Sequence, residues 1–245
     1  MRLPKSWNQV RVDQYKLLNE LDEEGYGSLF LFNIEVFSIL TDTDVEEFDD
    51  LSTEDFTLYM NELRWLRKEP NKNFKKVIDK YTFKGLDKLS LGEFIDLEHY
   101  FKTNYIDNIE RICAILYKQT KVDEWGNTIF EPYTYDINSR LEVFDELPIS
   151  DVYGVVTEFI KYRENFLSIY ENLFKPNIEL TEEEINEMDK EDKVEEEKDT
   201  ASERWSWESI IYNFCNGDLT KVDQLTDLPL ILVFNMISMR QDLGD

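Results

Sequence analysis

The sequence predicts a mainly α-helical protein: a multi-helix globular domain with one or two small β-hairpins, an acidic linker and a C-terminal helical block. Three observations carry this. Apolar residues recur at helical spacing along most of the chain, between residues that start and stop helices. Hydrophobic residues are 42% and aromatic residues 14% of the 245, ample for a sizeable core despite a formal charge of −26. Only two short stretches shift to the period of a strand.

The centre is residues 88–117, read as two consecutive buried helices. Ser90 with Glu93 three residues on forms a capping box, so the first orphan amides are satisfied where the apolar pattern begins. Leu91, Phe94, Ile95, Leu97, Tyr100 and Phe101 follow at helical spacing. After a polar break at 102–104 the pattern resumes with Tyr105, Ile106, Ile109, Ile112, Cys113 and Leu116.

Ahead of the centre, residues 1–12 read as an extended lead-in. Asp13 caps a short helix carrying Tyr15, Leu17, Leu18 and Leu21, ending near Gly25 and Gly27. Residues 28–40 are apolar on nearly all sides, as expected of a helix sunk in a core. A short acidic helix follows at 41–50. Ser52 with Asp55 then opens a helix carrying Phe56, Tyr59, Leu63 and Leu66, stopped before Pro70. At 74–83 Val77 and Ile78, then Tyr81 and Phe83, flank Asp79 and Lys80, which reads as a hairpin. A second hairpin signal lies at 124–135, where Trp125-Gly126-Asn127 is a turn leading into Thr128, Ile129 and Phe130.

Behind the centre, a helix with Leu141, Val143 and Phe144 closes before Pro148. A long one, capped by Ser150 or Asp151, runs from Val152 to about Phe174 and ends at Pro176. Residues 179–204 hold 13 Asp or Glu against 4 Lys or Arg and few strongly apolar residues, the composition of a solvated linker. The last block carries one helix through Trp205, Trp207 and Phe214, closed by Asn216-Gly217. Another follows Asp227 and Pro229. The organisation expected is a helical core domain at 1–177, an acidic linker at 178–204 and a C-terminal block at 205–245, with no internal repeat.

Charge and composition exclude several functions. With pI near 4.3 no basic face is expected that would release counterions from nucleic acid or meet an anionic membrane. Such acidity suits solubility, a basic partner, or the wall of a channel through which nucleic acid slides. Cys113 and Cys215 sit in apolar helical patterns, the usage of a reducing compartment. The longest apolar runs, 29–40 and 228–239, are short for a bilayer, and the start of the chain shows no secretion signal, so cytosolic synthesis is expected.

No catalytic constellation emerges, and no enzyme activity, cofactor or metal is expected. His99 is the one histidine, so any His-based site would rest on it alone. Asp42, Asp44 and Glu46 have the alternation of a calcium loop. Glu47, however, stands where the loop needs glycine, and a carboxylate-rich helix start explains the run. No phosphate-binding glycine loop or nucleophile elbow occurs. The candidate partner contacts are Trp125, Ile129 and Phe130 at the second hairpin and Trp205 and Trp207 after the linker, since tryptophan anchors interfaces; tryptophans are more often plain core.

Three stretches, LPKSWNQVRVDQY, LSLGEFIDLEHY and WSWESIIYNFCNGDLTKVDQLTDLPLILVFNMISM, resemble small proteins encoded among the structural genes of tailed bacteriophages, including the crAss-like group. They hold 60 of the 245 residues and lie at the two ends and the centre of the chain. The resemblance implies a virion part of the neck or tail, a ring or connector that homo-oligomerises and meets other phage structural proteins. It equally admits a tail assembly chaperone absent from the particle. Two readings outside it remain: an acidic inhibitor or nucleic-acid mimic that occupies a basic host protein, and an enzyme of unfamiliar type.

Overall fold

The capping box at the centre is present in the computed structural model, which describes residues 2–133, 137–171 and 206–243. The Ser90 amide donates to Glu93 Oε2 at 2.8 Å and the Glu93 amide to Ser90 Oγ at 3.3 Å, opening helix α4, Leu91–Asn104. The described residues are mainly helical, with ten α-helices and one small antiparallel sheet. The chain divides into two compact units. The first is Met1–Gly85 with Leu97–Lys161, and the second is Leu86–Asp96 with Tyr162–Asp245. The second thus takes the start of α4 as well as the C-terminal block, and the acidic stretch 178–204 lies outside the described residues.

The first unit opens with α1, Val12–Glu20, then α2, Leu29–Thr41, and α3, Thr53–Glu62. Helix α1 stops short of the glycines, and a separate 3-10 turn, Glu23–Tyr26, fills the gap before Gly27 turns left-handed at φ 61°. Ser52 caps α3 as expected, its hydroxyl accepting from the Asp55 amide at 3.1 Å. Helix α2 is not sunk throughout. Ile34, Val36, Phe37 and Leu40 are buried, but Leu29, Phe30 and Leu31 are exposed, because Tyr26 and Phe56 cover the first half of the helix only in part. Phe37 is the hub there, with Phe48, Phe56 and Tyr59 at 5.7–6.0 Å.

The two expected hairpins belong to a single sheet. Strands β1, Val77–Ile78, and β2, Tyr81–Phe83, form the first, with Asp79 in its turn at φ 49°. Helix α5 begins at Ile109 rather than Tyr105 and ends at Leu116, and Tyr117 passes straight into β3, Tyr117–Val122. β3 pairs with β2 on one side and with β4, Thr128–Phe130, on the other, giving the order β1-β2-β3-β4. The helix stops where the apolar pattern does: Lys118, Gln119, Thr120 and Lys121 offer no continuing stripe, while the open edge of β2 offers hydrogen bonds. Tyr117 fastens the junction, fully buried, with its hydroxyl donating to the Lys75 carbonyl at 2.7 Å and its ring near Phe144 at 5.6 Å. Helices α6, Leu141–Asp145, and α7, Ile149–Ile169, follow. Val152, Val155, Val156 and Phe159 of α7 are fully buried or nearly so.

The second unit holds α8, Ser206–Phe214, α9, Val222–Thr226, and α10, Leu230–Leu243. Asn216 and Gly217 end α8 with positive φ, and the Gly217 amide returns to the Tyr212 carbonyl at 2.9 Å. Its core is aromatic: Phe94 and Phe234 each lie within 6.0 Å of Phe166 and of Trp207.

The structure contains an internal repeat that the sequence reading misses. In the first unit the Val12 amide bonds the Leu147 carbonyl at 2.9 Å and the Ile149 amide bonds the Val10 carbonyl at 2.8 Å, a bridge between Arg11 and Pro148. In the second, the Leu91 amide bonds the Leu228 carbonyl at 3.0 Å and the Leu230 amide the Leu89 carbonyl at 2.9 Å, a bridge between Ser90 and Pro229. Gln14 closes the first helix start by accepting from the Arg11 amide, as Glu93 does from Ser90. A 3-10 turn, a five-residue helix and a longer helix then recur in the same order. Their starts are 219 against 138, 222 against 141 and 230 against 149, a constant 81. The two copies interleave, with both helix starts first and both Leu-Pro halves later, so no tandem period marks them.

Candidate protein-contact site

The β3–β4 hairpin is the best-built candidate surface. Its tip is ordered by one side chain. Asp123 Oδ1 accepts from the amides of Trp125 at 2.9 Å and Asn127 at 2.7 Å, and Oδ2 accepts from the Asn127 side chain at 2.9 Å. The backbone closes the loop, with the Asp123 amide on the Asn127 carbonyl and the Gly126 amide on the Asp123 carbonyl. Gly126 sits at φ 83°, a conformation that a side chain disfavours. The Asn127 side-chain hydrogen bond, followed by the backbone amides, holds the Asp123 carboxyl below its ordinary range.

This rigid turn displays Trp125 with 83% of its surface exposed. Val122 and Ile129, one on each strand, are 72% and 53% exposed. Ile129 stands opposite Lys121, and Val122 opposite Thr128, so the two apolar side chains point to opposite faces of the ribbon. Phe130 is half-buried and stands opposite Thr120.

The root of the hairpin is fixed to the body of the first unit. The Glu131 amide and the Gln119 carbonyl pair at 2.9 Å, and Glu131 Oε1 accepts from the Gln119 amide at 3.1 Å. Arg140, itself buried, holds the same carboxylate at 2.6 Å and reaches the Tyr117 carbonyl at 3.3 Å. The fully buried Lys118 places its ammonium 4.4 Å from the centre of the Tyr133 ring. A firm root and an apolar, preorganised tip suit docking, because little ordering entropy remains to be lost on binding.

Of the five residues singled out in the sequence, Trp125, Ile129 and Phe130 share this hairpin. Trp207 does not join them: at 9% exposure it is part of the second unit's aromatic core, 5.5 Å from Phe94. Trp205 lies outside the described residues. Sequence reasoning missed Val122 and the Arg140–Glu131 root. Trp125-Gly126-Asn127 points to the turn, but only the pairing of β3 shows where its first strand lies.

Elsewhere the described residues hold no group of three or more His, Cys, Asp or Glu able to bind a metal ion. His99 is exposed beside Tyr100. Asp42 of the calcium-like run is engaged otherwise: it ends α2 at φ 51° and takes two hydrogen bonds from Arg11 at 2.7 and 2.9 Å, which pull its carboxyl below the ordinary range. No helix of the described residues is long and apolar enough to cross a membrane. Comparison with known proteins finds no family model, no characterised protein and no solved structure that matches the chain.

Proposed function

We propose that this chain is a non-enzymatic structural protein of a phage neck or tail, a ring or connector component that works through protein contacts. The observation that carries the contact role is the β3–β4 hairpin, a fixed root presenting Trp125 almost wholly to solvent. Large aromatic side chains on a preorganised turn are typical anchors that fill a pocket on a neighbour. The phage assignment rests on the sequence resemblance. The charge of −26 suits a part past which DNA slides, since an acidic wall repels phosphates. In this role the protein is assembled in the host cytoplasm, resides in the virion, and meets further copies of itself and other structural proteins.

Mass spectrometry of purified particles is the direct test. A stoichiometric signal for the chain supports the connector. Absence from particles, with binding to a tail protein in the infected cell, identifies the assembly chaperone instead.

A further inference from the structure

Charge is segregated within the first unit. Residues 17–63 contain fourteen Asp or Glu and no Lys or Arg, whereas residues 64–84 contain eight Lys or Arg and two acids. Lys72 and Lys75 of the basic set pair with Glu69 and Asp151, but the acidic set and the cations that directly follow α3 are not consumed in this way. Of the fourteen carboxylates only Asp42 has an ion pair, and Arg64, Arg67 and Lys68 have none among the described residues.

Each region also builds a surface. On the acidic side, the first turn of α2 stands out of the fold, with Leu29, Phe30 and Leu31 exposed at 59%, 45% and 51%. Three successive residues span about 200° of a helix, so this turn is an apolar knob rather than the edge of a core. Carboxylates rim it. Glu23 and Glu24 come from the 3-10 turn held by the Tyr26–Phe32 contact at 5.8 Å, and Glu54 from the start of α3, held by Phe30 on Phe56 at 4.9 Å.

On the basic side, the N-terminal segment is clasped to the turn that follows α3. The Trp7 indole donates to the Lys68 carbonyl at 2.6 Å, the Trp65 indole donates to the Pro4 carbonyl at 3.2 Å, and the two rings meet edge to face at 5.0 Å. This clasp gathers five exposed cations, Arg2, Lys5, Arg64, Arg67 and Lys68, around two half-buried tryptophans. The knob lies by the first turns of α3 and the clasp beyond its last, so about 15 Å of helix separates them and one copy cannot satisfy itself.

We infer that the acid-rimmed knob of one copy, Leu29, Phe30 and Leu31, docks on the cation-rimmed tryptophan clasp of a second copy. Apolar surface meets aromatic surface at the centre, and opposite charges meet at the rim, which is the pattern of a specific interface rather than of a solvated face. The second copy is the occupant because the complement in both chemistry and charge is on this same chain. The inference deepens the ring or connector reading and rests on it.

Full-length protein and two variants test it by sedimentation velocity at low and high salt. The variants are Glu23→Gln/Glu24→Gln/Glu54→Gln and Arg64→Gln/Arg67→Gln/Lys68→Gln, all at exposed positions. The wild type is expected to self-associate at low salt and to dissociate as salt rises. Each variant alone is expected to associate about tenfold or more weakly. Mixed, the two regain association, because one contributes an intact clasp and the other an intact knob. Circular dichroism confirms that both variants are folded. A wild type that is monomeric at low salt overturns the inference. So does self-association that either variant leaves unchanged, an outcome in which the connector reading itself survives.

Discussion

Replacing Gly154 by alanine sets local preference directly against packing. Gly154 lies on α7, an otherwise regular helix, where alanine is favoured over glycine by about 1 kcal/mol. A Cβ there, however, would fall 2.1 Å from the Lys72 carbonyl oxygen and 2.6–2.7 Å from the carbonyl carbons of Lys72 and Asn73. That is about 1.4 Å inside the ~3.5 Å at which heavy atoms rest in contact. The obstacle is backbone on both sides, so no rotamer relieves it. The 71–75 segment must move off α7, straining the Lys75 amide bond to the Asp151 carbonyl at 2.9 Å and the Lys75–Asp151 ion pair at 2.7 Å. Overpacking at about 3 kcal/mol and a weakened hydrogen bond at about 1 kcal/mol outweigh the propensity gain, leaving a net loss of about 3 kcal/mol. For a chain of this size that lowers the thermal midpoint by about 6–12 °C. Gly25→Ala is the control, since its Cβ would meet nothing closer than 3.8 Å, and a shift within about 2 °C is expected. Thermal unfolding followed by circular dichroism decides the matter. A Gly154→Ala midpoint equal to or above wild type refutes the close approach of α7 to residues 72 and 73.

Two further expectations concern buried titratable groups. Burial raises the hydroxyls of Tyr15, Tyr117, Tyr153 and Tyr162 above the ordinary 10.0, Tyr162 to about 12. The folded state therefore keeps protons that the unfolded chain releases, so stability is intact below pH 10 and falls as pH rises from about 10 through 12. Absorbance at 295 nm should show these tyrosines ionising together with unfolding; ionisation of all thirteen near pH 10 in folded protein would contradict it. Cys113 and Cys215 are both buried, and burial pushes the Cys113 thiol well above its ordinary value. Ellman's reagent should titrate neither in the native protein and both in denaturant. Rapid labelling of native protein would show that one of the two is accessible.

What the sequence reveals of this fold is what short-range chemistry determines. Ser90 with Glu93, Ser52 with Asp55, Asn216-Gly217 and Trp125-Gly126-Asn127 all act within five residues, and each does in the structure what its pattern suggests. Features that depend on distant partners are hidden. The pairing of Phe83 with Tyr117 that unites two hairpins spans 34 residues, and nothing in a polar run such as Lys118 to Lys121 announces a strand until β2 is beside it. The repeat escapes because its halves interleave, and because few residues recur unchanged, Leu147-Pro148 against Leu228-Pro229 and Val152 against Val233 among them. The contact site divides the same way. Trp125 follows a turn signal and is exposed, while Trp207 has equal aromatic weight but meets Phe94 and Phe234, a fate set by residues far along the chain. The exposed first turn of α2 runs against its own composition, since hydrophobicity on every side of a helix indicates burial unless covering neighbours are lacking.

The central claim is that the chain works by assembling through a fixed hairpin. Light scattering of the full-length wild type beside a Trp125→Ser/Ile129→Ser variant, at equal concentration and low salt, addresses it most directly. Both positions are exposed, so the variant should fold with an unchanged thermal midpoint. The account predicts an oligomeric mass for the wild type and a smaller mass for the variant. A monomeric wild type, or a variant of identical oligomeric mass, would contradict it.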